Sequence, residues 1–162
     1  MEYNVDVTND HPLAGKFAFN FNNMIKADGG KGIFPENAIA ISLDDAERAQ
    51  GRAVLRRTMD SALGVVARGT SDRTSNKRML MCEFRFNYRN WKNISKTELE
   101  DKVENAKTLL LTDYTGSIEP KCFFIFNKNI YQQVKNHFAR IYNSRTKNRV
   151  VSTEEIFREL IF

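Results

Sequence analysis

One acidic and one basic residue stand in the middle of an otherwise apolar segment of the chain. The segment runs from Arg78 to Tyr88 and reads RMLMCEFRFNY, with Glu83 and Arg85 near its centre. A carboxylate among apolar neighbours is costly unless it is solvated, paired or bound to a metal ion. Glu83 is therefore the first candidate for a chemical role, because carboxylate oxygens are the ligands that hard cations such as Mg²⁺ prefer.

The same segment predicts a β-strand, since its apolar residues alternate with period two. One face would carry Leu80, Cys82, Phe84, Phe86 and Tyr88, and the other Met79, Met81, Glu83, Arg85 and Asn87. A strand-like stretch at residues 64–69 and a polar turn at residues 70–77 come before it. Residues 61–88 therefore predict a β-hairpin.

Further elements are predicted on both sides of this hairpin. Alternating phenylalanines at residues 16–21 indicate an early strand, and the run at residues 121–126 is typical of a strand buried on both faces. Four helices are predicted. The first begins after Ser42 and runs through Arg56, and the third is marked by apolar spacing over residues 130–141. The second and the fourth begin with capping boxes, at Ser95 and Glu98 and at Ser152 and Glu155.

These elements predict one globular domain over residues 1–162. The order strand, helix, hairpin, helix, buried strand, helix, helix indicates an α/β fold in which helices flank a mixed β-sheet of about five strands. The chain is long enough to bury one core, and no repeat or Pro/Ser-rich linker suggests a boundary.

Part of this order resembles the core of the PD-(D/E)XK nuclease superfamily. The resemblance covers roughly residues 43–126 and depends on a helix, a hairpin ending in Glu-X-Arg, a helix and a buried strand. It implies a restriction-endonuclease-like core in which Glu83-Phe84-Arg85 stands at the (D/E)XK triplet. In that family a first acidic residue opens the hairpin, and two or three carboxylates hold Mg²⁺.

Asp60 is the first acidic residue that the geometry favours. It stands at the opening of the hairpin, and the midpoint of positions 60 and 83 falls inside the polar turn, so that Asp60 and Glu83 would face each other across the two strands. Asp72 lies in the turn itself, too far along the strand to share a metal ion with Glu83. The resemblance implies that a helix carboxylate, here Glu47, completes a metal site made of Glu47, Asp60 and Glu83.

The resemblance also implies the roles at such a centre. Asp60 and Glu83 would hold the Mg²⁺ that activates water for phosphodiester hydrolysis. The family usually has a lysine where this chain has Arg85, which can stabilise phosphate charge but stays protonated and cannot act as a base. Lys102, on the following helix, could take the place of that lysine. The expected catalytic residues are therefore Asp60, Glu83, Arg85 and Lys102.

Each of these residues also has a structural interpretation. Glu83 and Arg85 share a strand face and could simply form an ion pair. Asp60 could be a polar position on an extended helix, because the apolar residues around it also fit helical spacing. Glu47 could be an ordinary solvated helix residue.

The distribution of charge suggests a partner. The net charge is +5, but residues 1–47 carry three Lys/Arg against eight Asp/Glu, whereas residues 48–92 carry eleven against three. A basic middle segment indicates a surface for phosphate backbones, DNA or RNA, although it could also be a solvated face. The expected contacts are Arg52, Arg56, Arg57, Arg73, Lys77, Arg78, Arg89 and Lys92.

Three functions remain open on this sequence: a Mg²⁺-dependent nuclease, a nucleic-acid-binding protein without catalysis, and a protein-interaction module such as a toxin-neutralising or phage-encoded inhibitor. No apolar run approaches the ~20 residues that span a bilayer, so no membrane association is expected. The first residues lack a basic region followed by an apolar stretch, which predicts a cytoplasmic protein. Cys82 and Cys122 lie in apolar runs and are expected to be reduced core residues.

Overall fold

The computed structural model describes residues 1–67, 76–142 and 148–161, with the side chains of residues 159–161 excepted. Within these residues a single mixed sheet organises the chain. Its strands are Glu2–Tyr3 (β1), Ala18–Asn20 (β2), Ile39–Ser42 (β3), Ser61–Val66 (β4), Lys77–Arg85 (β5), Ser117–Phe126 (β6) and Arg149–Ser152 (β7). The helices are Val5–Asn9 (α1), Ala14–Phe17 (α2), Phe21–Ala27 (α3), Leu43–Arg48 (α4), Lys96–Leu111 (α5), Lys128–Ile141 (α6) and Glu154–Ile161 (α7).

The sheet is antiparallel on one side and parallel on the other. Its order is β2-β3-β4-β5-β6-β7, with β1 paired to β4. Strands β2 to β5 pair antiparallel, while β6 runs parallel to both β5 and β7. Two parallel neighbours cannot be joined by a tight turn, so α5 makes the crossover from β5 to β6. No described helix is long and apolar enough to cross a membrane.

Helices cover both faces of the sheet. On one face, buried residues of α1, α2, α4, α5 and α6 pack against β4, β5 and β6. On the other face, α3 and α7 bring Phe21, Ile25 and Phe157 against the same strands. Strand β6 contributes side chains to the core on both faces of the sheet. Cys122, Phe124 and Phe126 face one way, and Phe123 and Ile125 face the other. The expectation of a strand buried on both faces is confirmed.

The α/β class, the hairpin and two helix starts are confirmed. Ser42 accepts a hydrogen bond from the backbone N–H of Asp45, and Ser95 accepts one from that of Glu98. These caps satisfy backbone donors that have no partner within the helix.

Several predicted boundaries are wrong. The described sheet has seven strands, not about five, and the added short strands lie at or near its edges. The helix after Ser42 ends at Arg48 rather than continuing through Arg56, and Gly51 follows with a positive φ of 64°. Ser152 does not cap a helix: it is the last residue of β7, and α7 begins at Glu154. Residues 16–21 divide among α2, β2 and α3.

Candidate active site at the start of strand β4

Asp60 and Glu83 come together where β4 begins. The antiparallel ladder pairs Ser61 with Cys82, and the register places Asp60 and Glu83 opposite each other one residue beyond that pair. The predicted juxtaposition is therefore confirmed. The alternative that placed Asp60 on a helix is wrong, because the chain from residue 49 to residue 60 contains no helix.

The Asp60 carboxylate accepts a hydrogen bond from the backbone of β5, beyond the end of its ladder with β4. Oδ2 of Asp60 accepts a hydrogen bond from the backbone N–H of Phe84, at 2.5 Å. Oδ2 of Asp28, at the end of α3, accepts one from the N–H of Phe86 at 3.3 Å. Where β4 no longer pairs with β5, two aspartate side chains therefore accept hydrogen bonds from the backbone N–H groups of Phe84 and Phe86. Burial, and next the charge of Glu83, raise the pKa of Asp60 well above its ordinary value.

Glu83 is the most deeply buried acid of the group, with 1% of its surface exposed. Its Oε1 atom lies 2.7 Å from Nζ of Lys102 and 2.7 Å from Nη2 of Arg85. Its Oε2 atom is buried and has no hydrogen-bond partner among the described residues. Burial raises the pKa of Glu83, and the charges of Lys102 and Arg85 partly oppose that rise. The expectation that Glu83 and Arg85 could pair is confirmed, although the pair is buried rather than solvated.

A second acid extends the network of charges toward solvent. Glu98, in the first turn of α5, lies 3.4 Å from Arg85 and 3.4 Å from Arg57. The guanidinium of Arg85 also lies 4.9 Å from the centre of the Tyr88 ring. Tyr88 packs with the cluster on the Arg85 side of the sheet, so its expected place among Phe84 and Phe86 is wrong. The alternation is lost there because β5 ends at Arg85.

Glu47 does not join the other two acids. It is buried, and its Oε1 atom accepts a hydrogen bond from the backbone N–H of Arg56 at 3.1 Å and pairs with Nε of Arg52 at 3.3 Å. The helix α4 acid that acts on the pair is Asp44, whose charge raises the pKa of both Asp60 and Glu83. The expected set of three metal ligands is thus not assembled. Across the described residues, no three His, Cys, Asp or Glu side chains form a group that could hold a metal ion.

A pocket of about 300 Å³ opens beside Lys102. Its cations are Arg48, Arg56, Arg57 and Lys102, and its acids are Asp44, Glu47 and Glu98. The pocket therefore places basic side chains next to the Lys102–Glu83 ion pair, in a space large enough for a phosphate group.

The expected nucleic-acid contacts occupy different parts of the molecule. Arg52, Arg56 and Arg57 lie between α4 and β4, near the pocket, and Arg89 and Lys92 are exposed after β5. Lys77 and Arg78 begin β5, where they pair with Asp10 and Glu119. Glu83 lies six positions along the strand from Lys77, a distance of about 20 Å. Arg73 lies outside the described residues.

Sequence reasoning missed Asp28, Asp44 and Glu98. Asp28 precedes two glycines, and its hydrogen bond to the backbone of Phe86 depends on the fold. The sequence predicts Glu98 as a capping-box residue, and its pairing with two arginines depends on the fold. The acidic first turn of α4 was the one available signal for Asp44, since it placed two aspartates beside the predicted site.

Comparisons with protein-family models, with curated proteins and with solved structures found no match to this chain. Any function of this chain must therefore follow from the geometry and the charges of the site.

Proposed function

We propose that this chain binds nucleic acid and hydrolyses phosphodiester bonds with the help of Mg²⁺ held by Asp60 and Glu83. The observation that carries the proposal is the Oε2 atom of Glu83, a buried carboxylate oxygen without a partner among the described residues. A buried polar atom left unpaired costs about 1–3 kcal/mol. A cation bound there would remove that cost.

The two carboxylates fit a magnesium ion. Asp60 and Glu83 raise each other's energy when both are charged, and their elevated pKa values reflect burial and, for Asp60, this repulsion. A divalent cation would relieve the repulsion and favour the ionised forms. Mg²⁺ in proteins is often bound by one or two carboxylates, together with water and substrate phosphates. A pair of carboxylates is therefore sufficient, and a third is not required.

The neighbouring cations suit a phosphate substrate. The bound metal would supply an activated water and would stabilise charge on the phosphate. Lys102 and Arg85 already meet at Oε1 of Glu83, so both are within reach of a phosphate beside that carboxylate. Arg56 and Arg57 line the adjoining pocket, where they can bind the flanking backbone. The arrangement of β4, β5, α5 and β6 agrees with the core that the PD-(D/E)XK resemblance implies, and this agreement supports the proposal.

The test is an incubation with DNA and RNA, single-stranded and double-stranded, with Mg²⁺ or Mn²⁺ or with a chelator. We expect cleavage with metal, no cleavage with chelator, and a loss of at least about a hundredfold in Glu83→Gln and in Asp60→Asn. Asp101→Asn is the matched control, because Asp101 is exposed and lies next to Lys102 on α5. Cleavage that persists in both variants, or that ignores chelator, would refute the assignment.

Binding without cleavage is the second candidate. It is favoured by one observation: both cations bind the same oxygen of Glu83 and compete with a metal ion for that carboxylate. In that case the wild-type protein would bind nucleic acid with an affinity that falls as salt is added, and metal would change nothing. Absence of binding at low salt would exclude both candidates and leave the protein-interaction module.

A further inference from the structure

A short arm between α4 and β4 exposes two apolar side chains beside the candidate active site. The arm comprises residues 49–57. Val54 is 80% exposed and Leu55 is 50% exposed. The other exposed large hydrophobic residues in the described chain, Phe19 and Leu111, stand singly, whereas these two are adjacent in sequence. Single exposed hydrophobic residues are ordinary on protein surfaces, but an adjacent pair at the edge of a pocket is a candidate contact.

The arm is fixed to the rest of the fold. Glu47 holds it at two points, through the side chain of Arg52 and the backbone N–H of Arg56. Nδ2 of Asn105, on α5, donates a hydrogen bond to the carbonyl oxygen of Arg57 at 3.0 Å. Val54 and Leu55 lie between these attachments, so they are exposed in a conformation that hydrogen bonds and an ion pair hold in place.

The charge of the arm is uniformly positive. Residues 49–57 contain three arginines and no acidic residue, although Arg52 and Arg57 pair with Glu47 and Glu98. Leu55, Arg56 and Arg57 line the same pocket as Lys102. A partner that offers negative charge and an apolar surface at close quarters therefore suits the arm, next to the Lys102–Glu83 pair.

We infer that Val54 and Leu55 pack against the face of an unpaired base while the arginines of the arm bind the flanking phosphates. The preferred substrate is then nucleic acid that is single-stranded or locally unpaired. This inference rests on the proposed function and adds the class of substrate. An intact duplex offers phosphates but hides its base faces, whereas an unpaired base can pack between aromatic or apolar side chains. A broad anionic membrane surface fits less well, because Leu55, Arg56 and Arg57 line a pocket that a planar bilayer cannot enter and a single strand can.

The test measures binding alone, in chelator, so that it does not depend on catalysis. Fluorescence anisotropy compares a labelled single-stranded oligonucleotide with a blunt duplex of the same sequence. The variant is Val54→Ser combined with Leu55→Ser, and the control is Leu111→Ser, since Leu111 is 49% exposed and ends α5 away from the pocket. We expect the double variant to lose about tenfold in affinity for the single strand, through lost burial of apolar surface, and little for the duplex.

Every outcome bears on the inference. An unchanged affinity for the single strand, or an equal loss for both oligonucleotides, would overturn it. Binding of the wild-type protein to anionic vesicles, abolished in the double variant while single-strand binding is kept, would assign the arm to membranes instead. If the wild-type protein binds the single strand through the arm but cleaves nothing with Mg²⁺, the proposed hydrolysis fails and the inference about the arm stands.

Discussion

Asp60 and Glu83 face each other across the first position beyond the β4–β5 ladder, and each carboxylate has an elevated pKa. Burial is the main cause for both groups, and mutual repulsion adds to the rise for Asp60. Two such groups side by side lower the stability of the fold when both are ionised. The consequences of this arrangement can be measured by substitution.

Asp60→Asn should raise stability at neutral pH and remove the proposed hydrolysis. Because the folded state holds the Asp60 proton more tightly than the unfolded chain, the contribution of Asp60 to stability is greatest below its unfolded pKa, near 3.8, and falls as pH rises through the folded value. Asparagine has no such proton to lose and can still accept the hydrogen bond from Phe84. Urea unfolding at about pH 5 and about pH 8 should show a larger gain at the higher pH.

Asp101→Asn serves as the control for this comparison. Its carboxylate is exposed on α5. Its replacement should change the free energy of unfolding by less than about 0.5 kcal/mol at either pH. A lower stability of Asp60→Asn at about pH 8 would show that Asp60 is a stabilising anion, contrary to the elevated pKa.

Lys102→Met should destabilise the protein by about 2 kcal/mol at neutral pH, since it leaves the buried Glu83 with Arg85 as its one close cation among the described residues. Glu83 has a raised pKa in the folded state, and loss of Lys102 raises it further. Protonation of Glu83 removes the buried negative charge that Lys102 balances in the wild-type protein, so the destabilisation should shrink in acid. Chemical denaturation over a range of pH measures this difference.

Two further variants distinguish the charge of Lys102 from its packing. Lys107→Met removes an exposed ion pair with Glu104 and should cost less than about 1 kcal/mol. Glu83→Gln combined with Lys102→Met should recover part of the loss, because the buried carboxylate is gone and Arg85 keeps Glu98 as its partner at 3.4 Å. A loss in Lys102→Met that is the same at all pH values would mean that Lys102 contributes packing rather than charge.

Cys82 and Cys122 should be unreactive in the folded protein. Both thiols are free and buried, and burial raises the pKa of Cys122 to about 11 and that of Cys82 well above its ordinary value. They lie on neighbouring strands but pack into clusters on opposite faces of the sheet, so oxidation should not join them. Ellman's reagent at about pH 8 should detect no thiol before denaturant is added and two afterwards. Rapid reaction of either thiol in the native protein would contradict the buried assignment.

The sequence contained enough to place the hairpin and its register. The polar turn fixes the midpoint of the hairpin, and the alternating residues before Arg85 fix the faces of its second strand. Together they predict that Asp60 and Glu83 lie opposite each other, as the register shows. Helix α5 was equally predictable, because its capping residue Ser95 and its apolar stripe agree. The short strand β7 was missed, since four residues of mostly intermediate burial carry little periodic signal.

The composition of the site was harder to predict, because long-range packing decides it. Glu47 and Asp44 lie on the same short helix, and the sequence offers no reason to prefer one to the other. In the fold, Glu47 pairs with Arg52 of the arm, whereas the charge of Asp44 raises the pKa of Asp60. Lys102 was anticipated as a neighbour of Glu83, and the structure places them 2.7 Å apart.

Arg57 and Lys77 were both expected to contact nucleic acid, and the structure separates them. Each is exposed and forms a weak surface ion pair, Arg57 with Glu98 and Lys77 with Asp10. Arg57 lines the pocket beside Lys102, whereas Lys77 lies at the far end of β5. Arg57→Gln should therefore weaken binding and reduce the slope of log affinity against log salt by about one, while Lys77→Gln should leave both unchanged. Anisotropy titrations across a salt series measure both quantities. Equal losses in the two variants would mean that the bound backbone extends along the whole hairpin, and the arm would then have no special role.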